Sequence, residues 1–534
     1  ALRFYRLGDV PIGFHRDEAF LGYNAYSLYR TGRDMTGKFL PVHLESFLYS
    51  PAGYSYASIP FIAIFGLIPF SVRFASAFFG SLTILITFFL ARELFLDKKF
   101  NDQLGLASAF FLAISPWHIN LSRTATENTL VVFFIAAGVL LFFLWVKNRR
   151  WVYLLASFAS FGITIGIYQA PRVFLLFFIP LLLFLFRKEV KMRTLISVVG
   201  LFIVVILFPL VAILKSPTLS LRIRTVSIFA SSDTQLILDE QIREDGQFSR
   251  FTRFFHNKLA SYGVEVLSNY FDHFSYRFLF TEHVLPMRYR IPGSGLVYLF
   301  ELPLLLFGAW KLMQKNPKAA VFLFGWIAIA PVGSALTFDD IPNLQRTLLM
   351  FPAISIVSSY GFVSFFNFFP RFSRIIAVGS GMIVTWSMFI YLHQYYVHGI
   401  VHRPWYRQEG YRELVVKVNT LLPSYQKAII TNRETAPTIF FLFYVRFDPV
   451  AFQHVANVSM LRDFDRVGFA NYEFSQEECP LRDVASSGGI VGTTGKKGTL
   501  YVNSGLCKDM KYGRLLSEVR RSDNSLVFKL YDFE

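Results

Sequence analysis

Cysteine is nearly absent from this chain. Its 534 residues hold two, Cys479 and Cys507, both in the polar C-terminal region. At most one disulfide can form. It forms if that region faces an oxidising compartment, and otherwise two free thiols remain. Charge is scarce as well, at 17% of residues. Mean hydropathy is +0.43, well above what a soluble chain of this length shows. No signal peptide, internal repeat, low-complexity tract or HExxH pattern is present. The missing repeat argues against a transporter built from two related halves. The missing HExxH leaves His398 and His402, spaced i, i+4 with His393 nearby, as interfacial histidines rather than zinc ligands.

What is present is apolar bulk. Hydrophobic residues make up 54% of the chain, and Phe alone accounts for 62 positions. Uncharged runs recur near the ~20 residues needed to cross a bilayer. Spans are expected at 74–91, 104–122, 129–146, 151–171, 173–186 (short), 194–214, 291–310, 319–338, 347–369 and 375–392. The chain is therefore an all-α polytopic membrane protein of about ten spans. It opens on ALRFYRLGDVPIGF, which reads as the exit from a span, so an earlier helix is expected before Ala1.

The net charge of +17 comes from basic loops rather than from a nucleic-acid surface. Short basic connections recur at Arg92–Lys99, Lys147–Arg150, Arg187–Arg193, Lys311–Lys318 and Arg371–Arg374, at every second loop. The positive-inside rule places all five in the cytoplasm. The opposite loops then lie outside: Ser122–Asn128, Gln169–Arg172, 215–290, Asp339–Arg346 and the C-terminal region. Residues 54–72 carry Pro60 and Pro69 and either cross or lie flat at the interface.

Residues 394–534 read as a small α/β domain. Lys427–Thr431, Thr499–Val502 and Leu526–Tyr531 are expected strands, and Ile439–Tyr444 is a further apolar segment. Gly488–Gly498 lacks the pattern of a phosphate loop and reads as a turn. Sequons occur at Asn120 and Asn457.

The candidate chemistry lies in the outer loops. His15–Asp34 holds the acid pair Asp17-Glu18 at the start of an expected surface helix, 18–31, with Tyr23, Tyr26, Tyr29 and Arg30 following. Glu127 stands at the junction of two spans, next to Arg123. It also suits the first turn of a helix. Arg172 precedes a short span, and Arg346 ends another outer loop. Each arginine alone reads as an interface anchor; together on one face, beside acids, they suit an anionic lipid headgroup. Glu301, inside the expected span 291–310, is either functional or a link to a neighbouring helix.

This pattern resembles the GT-C glycosyltransferases, and within them the protein O-mannosyltransferase and lipid A aminoarabinose transferase group. The likeness is carried by Arg16-Asp17-Glu18-Ala19, by Ser71-Val72-Arg73-Phe74-Ala75-Ser76-Ala77 opening a span, by Ser122-Arg123 with Glu127-Asn128, and by Arg346 before a span containing Pro. It covers residues 1–393. The resemblance implies a transmembrane catalytic domain over 1–393 and an extracytoplasmic domain over 394–534. It implies that 54–72 does not fully cross. It implies a plasma-membrane enzyme that moves a hexose or pentose from a polyprenyl-phosphate donor to a hydroxyl of a lipid, polysaccharide or protein. Membrane lipids are its surroundings, and nucleic acid is no partner.

The expected catalytic residues are Asp17, as general base, with Glu18 and Glu127. Arg123, Arg172, Arg346 and Tyr23 are the expected substrate contacts. Glu127 would position the acceptor or help Asp17 hold a divalent cation, Mg²⁺ or Mn²⁺; no dedicated metal site is expected. Two departures stand out. Ser50 replaces the Lys of some relatives before Pro51, and the second acid is Glu rather than Asp. A flippase for a lipid-linked sugar would use the same arginines without a base. A membrane sensor working through 394–534 would leave the acid and arginine loops unexplained.

Overall fold

The computed structural model describes residues 1–44, 50–95, 98–189, 194, 196–204, 227–246, 252–456, 467–486 and 489–533. They form two compact units that are discontinuous in sequence. One joins residues 1–77, 123–125 and 395–534; the other holds 78–122 and 126–394. The first 77 residues thus share a unit with the C-terminal domain, a division different from the one expected at residue 393.

In the first unit, α1 runs over Arg16–Thr31. It starts at a capping box and stops at Gly32, whose φ of 68° gives the left-handed cap that glycine adopts without strain. The hairpin strands β1 (His43–Leu44) and β2 (Ser50–Pro51) follow, then α2 (Gly53–Phe65). Thirteen residues make a helix of about 20 Å, short of the ~30 Å hydrocarbon core. Gly66 ends it, and Ser71 turns its hydroxyl onto the Gly66 and Ile68 carbonyls at 2.6 and 2.8 Å, just inside the next helix, α3 (Pro69–Glu93).

Five helices are long and apolar enough to span a membrane, or six if one bent pair is a single span, among the described residues. They include α3 and α6 (Glu127–Asn148), with Pro317–Ala335, Leu348–Phe368 and Pro370–Val401. The expected span 104–122 is this bent pair. Helix α4 (Lys98–Ile114) gives way to α5 (Pro116–Ser122), and the helical part from Phe100 meets α5 at 59°. Pro116 has no N–H to continue the ladder. Helices α7 (Trp151–Ile167) and α8 (Ala170–Leu185) are apolar but shorter. The expected span 291–310 is corrected. Residues 291–300, which hold Pro292, Gly293 and Gly295, form no regular helix, and Glu301 opens a helix that ends at Lys315. Glu301 is buried at that N-terminus instead of standing mid-span. Most of the expected span 194–214 falls outside the described residues.

Small residues let the helices of the second unit approach closely. A Cβ on Gly361 would stand 2.0 Å from the Leu304 carbonyl oxygen, so only glycine fits where Phe351–Phe368 crosses Glu301–Lys315.

The C-terminal sheet has five strands in the order β4-β3-β7-β9-β8. β3 (Lys427–Thr431) is parallel to β4 (Tyr472–Ser475) and to β7 (Thr499–Ser504). β9 (Leu526–Asp532) lies antiparallel between β7 and β8 (Arg514–Arg520). The segment expected over 439–444 is a helix, α9 (Pro437–Val445), followed by α10 (Pro449–Ala456). Phe440 of α9 stacks on Tyr411 at 4.2 Å. Part of the expected turn 488–498 is strand: β6 (Gly489–Thr493) pairs with β5 (Asp483–Ser486). Cys479 and Cys507 form a disulfide. Asn120 is buried and donates to the Tyr289 carbonyl at 2.6 Å, which removes that sequon as an acceptor. Asn457 lies outside the described residues.

Candidate active site

The first turn of α1 separates the two acids. His15 is the N-cap. Its Nδ1 accepts from the Asp17 N–H at 3.2 Å, while Glu18 Oε2 accepts from the His15 N–H at 3.2 Å. This reciprocal box fixes the turn and gives acceptors to two of the N–H donors a helix start leaves unpaired. Glu18 then points inward. Arg73 meets it with Nε to Oε1 at 2.9 Å and Nη2 to Oε2 at 3.0 Å, and the Ala125 N–H adds a bond to Oε1 at 2.8 Å. Arg73 spends its remaining donors on the carbonyls of Leu7, Pro11 and Gly13. Burial pushes the Glu18 carboxyl up, but the charge and hydrogen bonds of Arg73 outweigh it, and the group is held below its ordinary value. Glu18 is an ionised, fully bonded anchor.

Asp17 points the other way, and its side chain is 28% exposed against 8% for Glu18. Its carboxylate lies 3.4 Å from His15 Nδ1 and 3.8 Å from Arg16 Nε. Tyr23, two turns along, is buried. Its hydroxyl donates to the Phe447 carbonyl at 3.1 Å, and burial pushes its pKa up. Arg123 is fully buried in the same unit. Its Nε donates to the Tyr395 hydroxyl, its Nη1 to the Leu2 carbonyl and its Nη2 to the carbonyls of Tyr5 and Val10. Four of a guanidinium's five N–H donors are thus engaged. The rings of Tyr395 and Tyr396 cover it at 5.3 and 5.2 Å.

The second unit gathers the other candidates. Glu127 opens α6, where a carboxylate favours the helix dipole. It accepts from Gln345 Nε2 at 3.4 Å. Arg346, next to Gln345, meets both oxygens of Asp339 at 3.0 Å and reaches Thr337 Oγ1 at 2.5 Å. Arg172, in the first turn of α8, is half-buried and donates to the Ile165 carbonyl at 3.4 Å. Asn343 shapes this loop: its Oδ1 accepts from the N–H groups of Gln345 and Arg346 at 3.0 and 2.8 Å. Among the described residues, no three His, Cys, Asp or Glu side chains are grouped to hold a metal ion.

Arg73, Asp339 and Gln345 belong to these networks and were not among the expected site residues. Arg73 had a signal in the sequence, as the only charge between Gly53 and Leu90.

Residues 50–213, about a third of the chain, match the family model for dolichyl-phosphate-mannose-protein mannosyltransferase. A search of curated proteins finds no significant match. Among solved structures, apo ArnT from Cupriavidus metallidurans aligns over 99% of this chain and 95% of its own, with 12% identity and a TM-score of 0.52. The same enzyme bound to undecaprenyl phosphate aligns over 99% and 96%, with 12% identity and a TM-score of 0.53. The chain has the GT-C fold. The likeness read from the acid pair and the arginine-bearing loops is borne out at that level.

Proposed function

We propose that this chain is a membrane glycosyltransferase that moves a sugar from a polyprenyl phosphate to an acceptor hydroxyl on the outer face of the membrane. The observation that carries the reading is the contrast within the acid pair. Glu18 is sealed into an ion pair with Arg73, and that fixes the helix turn from which Asp17 reaches solvent. Two adjacent carboxylates in unlike surroundings take unlike roles. The matched family model and the ArnT complex both name a polyprenyl phosphate, which supports the donor class.

The transfer is a direct displacement. The acceptor oxygen attacks the anomeric carbon and gives its proton to Asp17 as the new C–O bond forms. The bond from the anomeric carbon to the phosphate oxygen breaks. The polyprenyl phosphate leaves with that electron pair, and the anomeric centre inverts. A phosphate is a stable anion, so the step needs no general acid, unlike the two-carboxylate glycosidase scheme. Arg172 and Arg346 are the arginines we assign to the phosphate, where they offset its growing charge. Arg123 we assign to structure, because it is fully buried with its donors on three backbone carbonyls and the Tyr395 hydroxyl, whereas the carboxylate on Arg346 is 37% exposed and can give way to a phosphate. Glu18 anchors the turn and Tyr23 the packing behind it. Glu127 orients the acceptor through its carboxylate.

The short α2 supports a first loop that stays outside, and the Cys479–Cys507 disulfide suits an oxidising compartment. The test is Asp17→Asn in purified protein, with a labelled polyprenyl-phosphate sugar and candidate acceptors. Transfer is abolished while the folded fraction and donor binding persist. An active Asp17→Asn variant overturns the base; a wild-type protein that moves lipid-linked sugar across a bilayer without transferring it overturns the reaction.

A further inference from the structure

The C-terminal domain has no part in the mechanism above, yet it packs along the whole of α1. Phe14 packs on Phe443 at 4.7 Å. Gly22 is pinched between Val72 and Phe443, where an added Cβ would come within 2.6 and 2.9 Å of their side chains. Tyr23 bonds the Phe447 carbonyl, and Gln453 of α10 donates from Nε2 to Ser27 Oγ, Thr31 Oγ1 and the Asp34 carbonyl.

One contact reaches the acid pair itself. The first N–H of α1, that of Arg16, has no partner within its own helix. Gln408, 392 residues further along the chain, supplies it: Oε1 accepts from the Arg16 N–H at 2.7 Å. The other end of the same amide donates from Nε2 to Thr435 Oγ1 at 3.0 Å. Thr435 stands in the loop between β3 and α9, past the carboxyl end of β3. Gln408 is held in a left-handed conformation, φ 55°, and its N–H bonds the Trp405 carbonyl at 3.0 Å. Beside it, the Arg407 carbonyl oxygen would stand 2.6 Å from a Cβ on Gly13, so the two backbones are in contact.

We infer that Gln408 is a positioning residue for Asp17, and that through the Arg16–Gln408–Thr435 chain the C-terminal domain sets the direction of the base. The inference rests on Asp17 being the base. His15 caps Asp17 from within the helix; Gln408 caps the residue before it from outside. Together they fix the peptide planes on which the Asp17 side chain stands. A base displaced by a fraction of an ångström loses rate, whereas donor binding by arginines elsewhere is untouched.

The test compares Gln408→Leu, Thr435→Val and the double variant with wild type. The readouts are kcat, the KM for donor and the thermal midpoint. Gln408→Leu lowers kcat about tenfold or more and leaves the donor KM within about twofold. Thr435→Val lowers kcat less, since Gln408 keeps its bond to Arg16. The double variant is no slower than Gln408→Leu, because one chain is cut in both. Should Gln408→Leu fail to fold, Thr435→Val alone, with its KM unchanged and its kcat reduced, carries the test. An unchanged kcat in a folded Gln408→Leu overturns the inference, as does a kcat that falls only in step with the thermal midpoint. The base assignment is tested apart from this by Asp17→Asn. If that variant is inactive and Gln408→Leu is not, only the inference falls; if Asp17→Asn is active, both fall.

Discussion

Arg73 and Glu18 meet through two hydrogen bonds of 2.9 and 3.0 Å, with side chains only 1% and 8% exposed. Fifty-five residues separate them in the chain. The pair joins the start of α3 to the first turn of α1, and the Ala125 N–H closes on the same carboxylate.

Loss of either partner leaves a buried charge alone. Arg73→Leu is expected to destabilise the protein by about 3–5 kcal/mol, the usual cost of breaking such a pair from one side. Glu18→Gln keeps the shape but leaves the buried Arg73 charge unpaired and sets an amide N–H against donors, so it costs on the same scale. The pH dependence has a definite sign. The folded carboxyl is held below the ordinary Glu value of 4.5, so its stabilisation is complete above that value and is lost as the pH falls through the lower, folded one. Thermal midpoints of wild type and Glu18→Gln converge at acid pH. An Arg73→Leu variant as stable as wild type shows the pair to be dispensable.

His273 sets a second acid-sensitive point, in a different window. It is fully buried. Nδ1 faces the Asn269 carbonyl at 2.6 Å, an acceptor only, so it carries the proton. Nε2 accepts from the Asn343 N–H at 3.1 Å and faces Ser334 Oγ at 3.0 Å. Protonation there would set one N–H against another. Burial pulls its pKa down from 6.5 to about 4. The unfolded chain therefore binds the proton first. Stability is complete above pH 6.5 and falls by roughly 3 kcal/mol as the pH drops toward 4. Denaturant titrations at pH 7, 5.5 and 4.5 check this, with His273→Gln as the control that lacks this loss. A wild-type loss confined below pH 4.5 counts against the assignment.

Much of the fold was legible because its signals are local. The surface helix expected over 18–31 is α1, two residues longer at its start and the same at its end. Hydropathy found α3 and α6. It misread 291–310 because it weighs side chains only, and Pro292, Gly293 and Gly295 deny those residues a helical backbone. The site was less legible, because partners decide its roles. Asp17 and Glu18 are adjacent acids in the sequence; only Arg73 and Ala125 make one a buried anchor. Arg123 reads as a headgroup ligand until the carbonyls of Leu2, Tyr5 and Val10, more than a hundred residues earlier, take its donors.

Arg346 poses the sharpest question about the donor. One nitrogen, Nη2, holds both Asp339 oxygens at 3.0 Å, Nη1 goes to Thr337 Oγ1 and the Asp339 carbonyl, and the Asp339 side chain is 37% exposed. A carboxylate and a phosphate are both anions that a guanidinium binds, so the two compete for Arg346. Asp339→Asn removes the competing charge and keeps the size. It is expected to lower the donor KM about threefold to tenfold, the scale of about one kcal/mol of relieved competition. Arg346→Lys should raise the donor KM, because an ammonium cannot form the fork. The KM for a labelled polyprenyl-phosphate sugar separates the cases. If Asp339→Asn weakens donor binding instead, the pair holds the loop in shape, and the phosphate charge falls to Arg172.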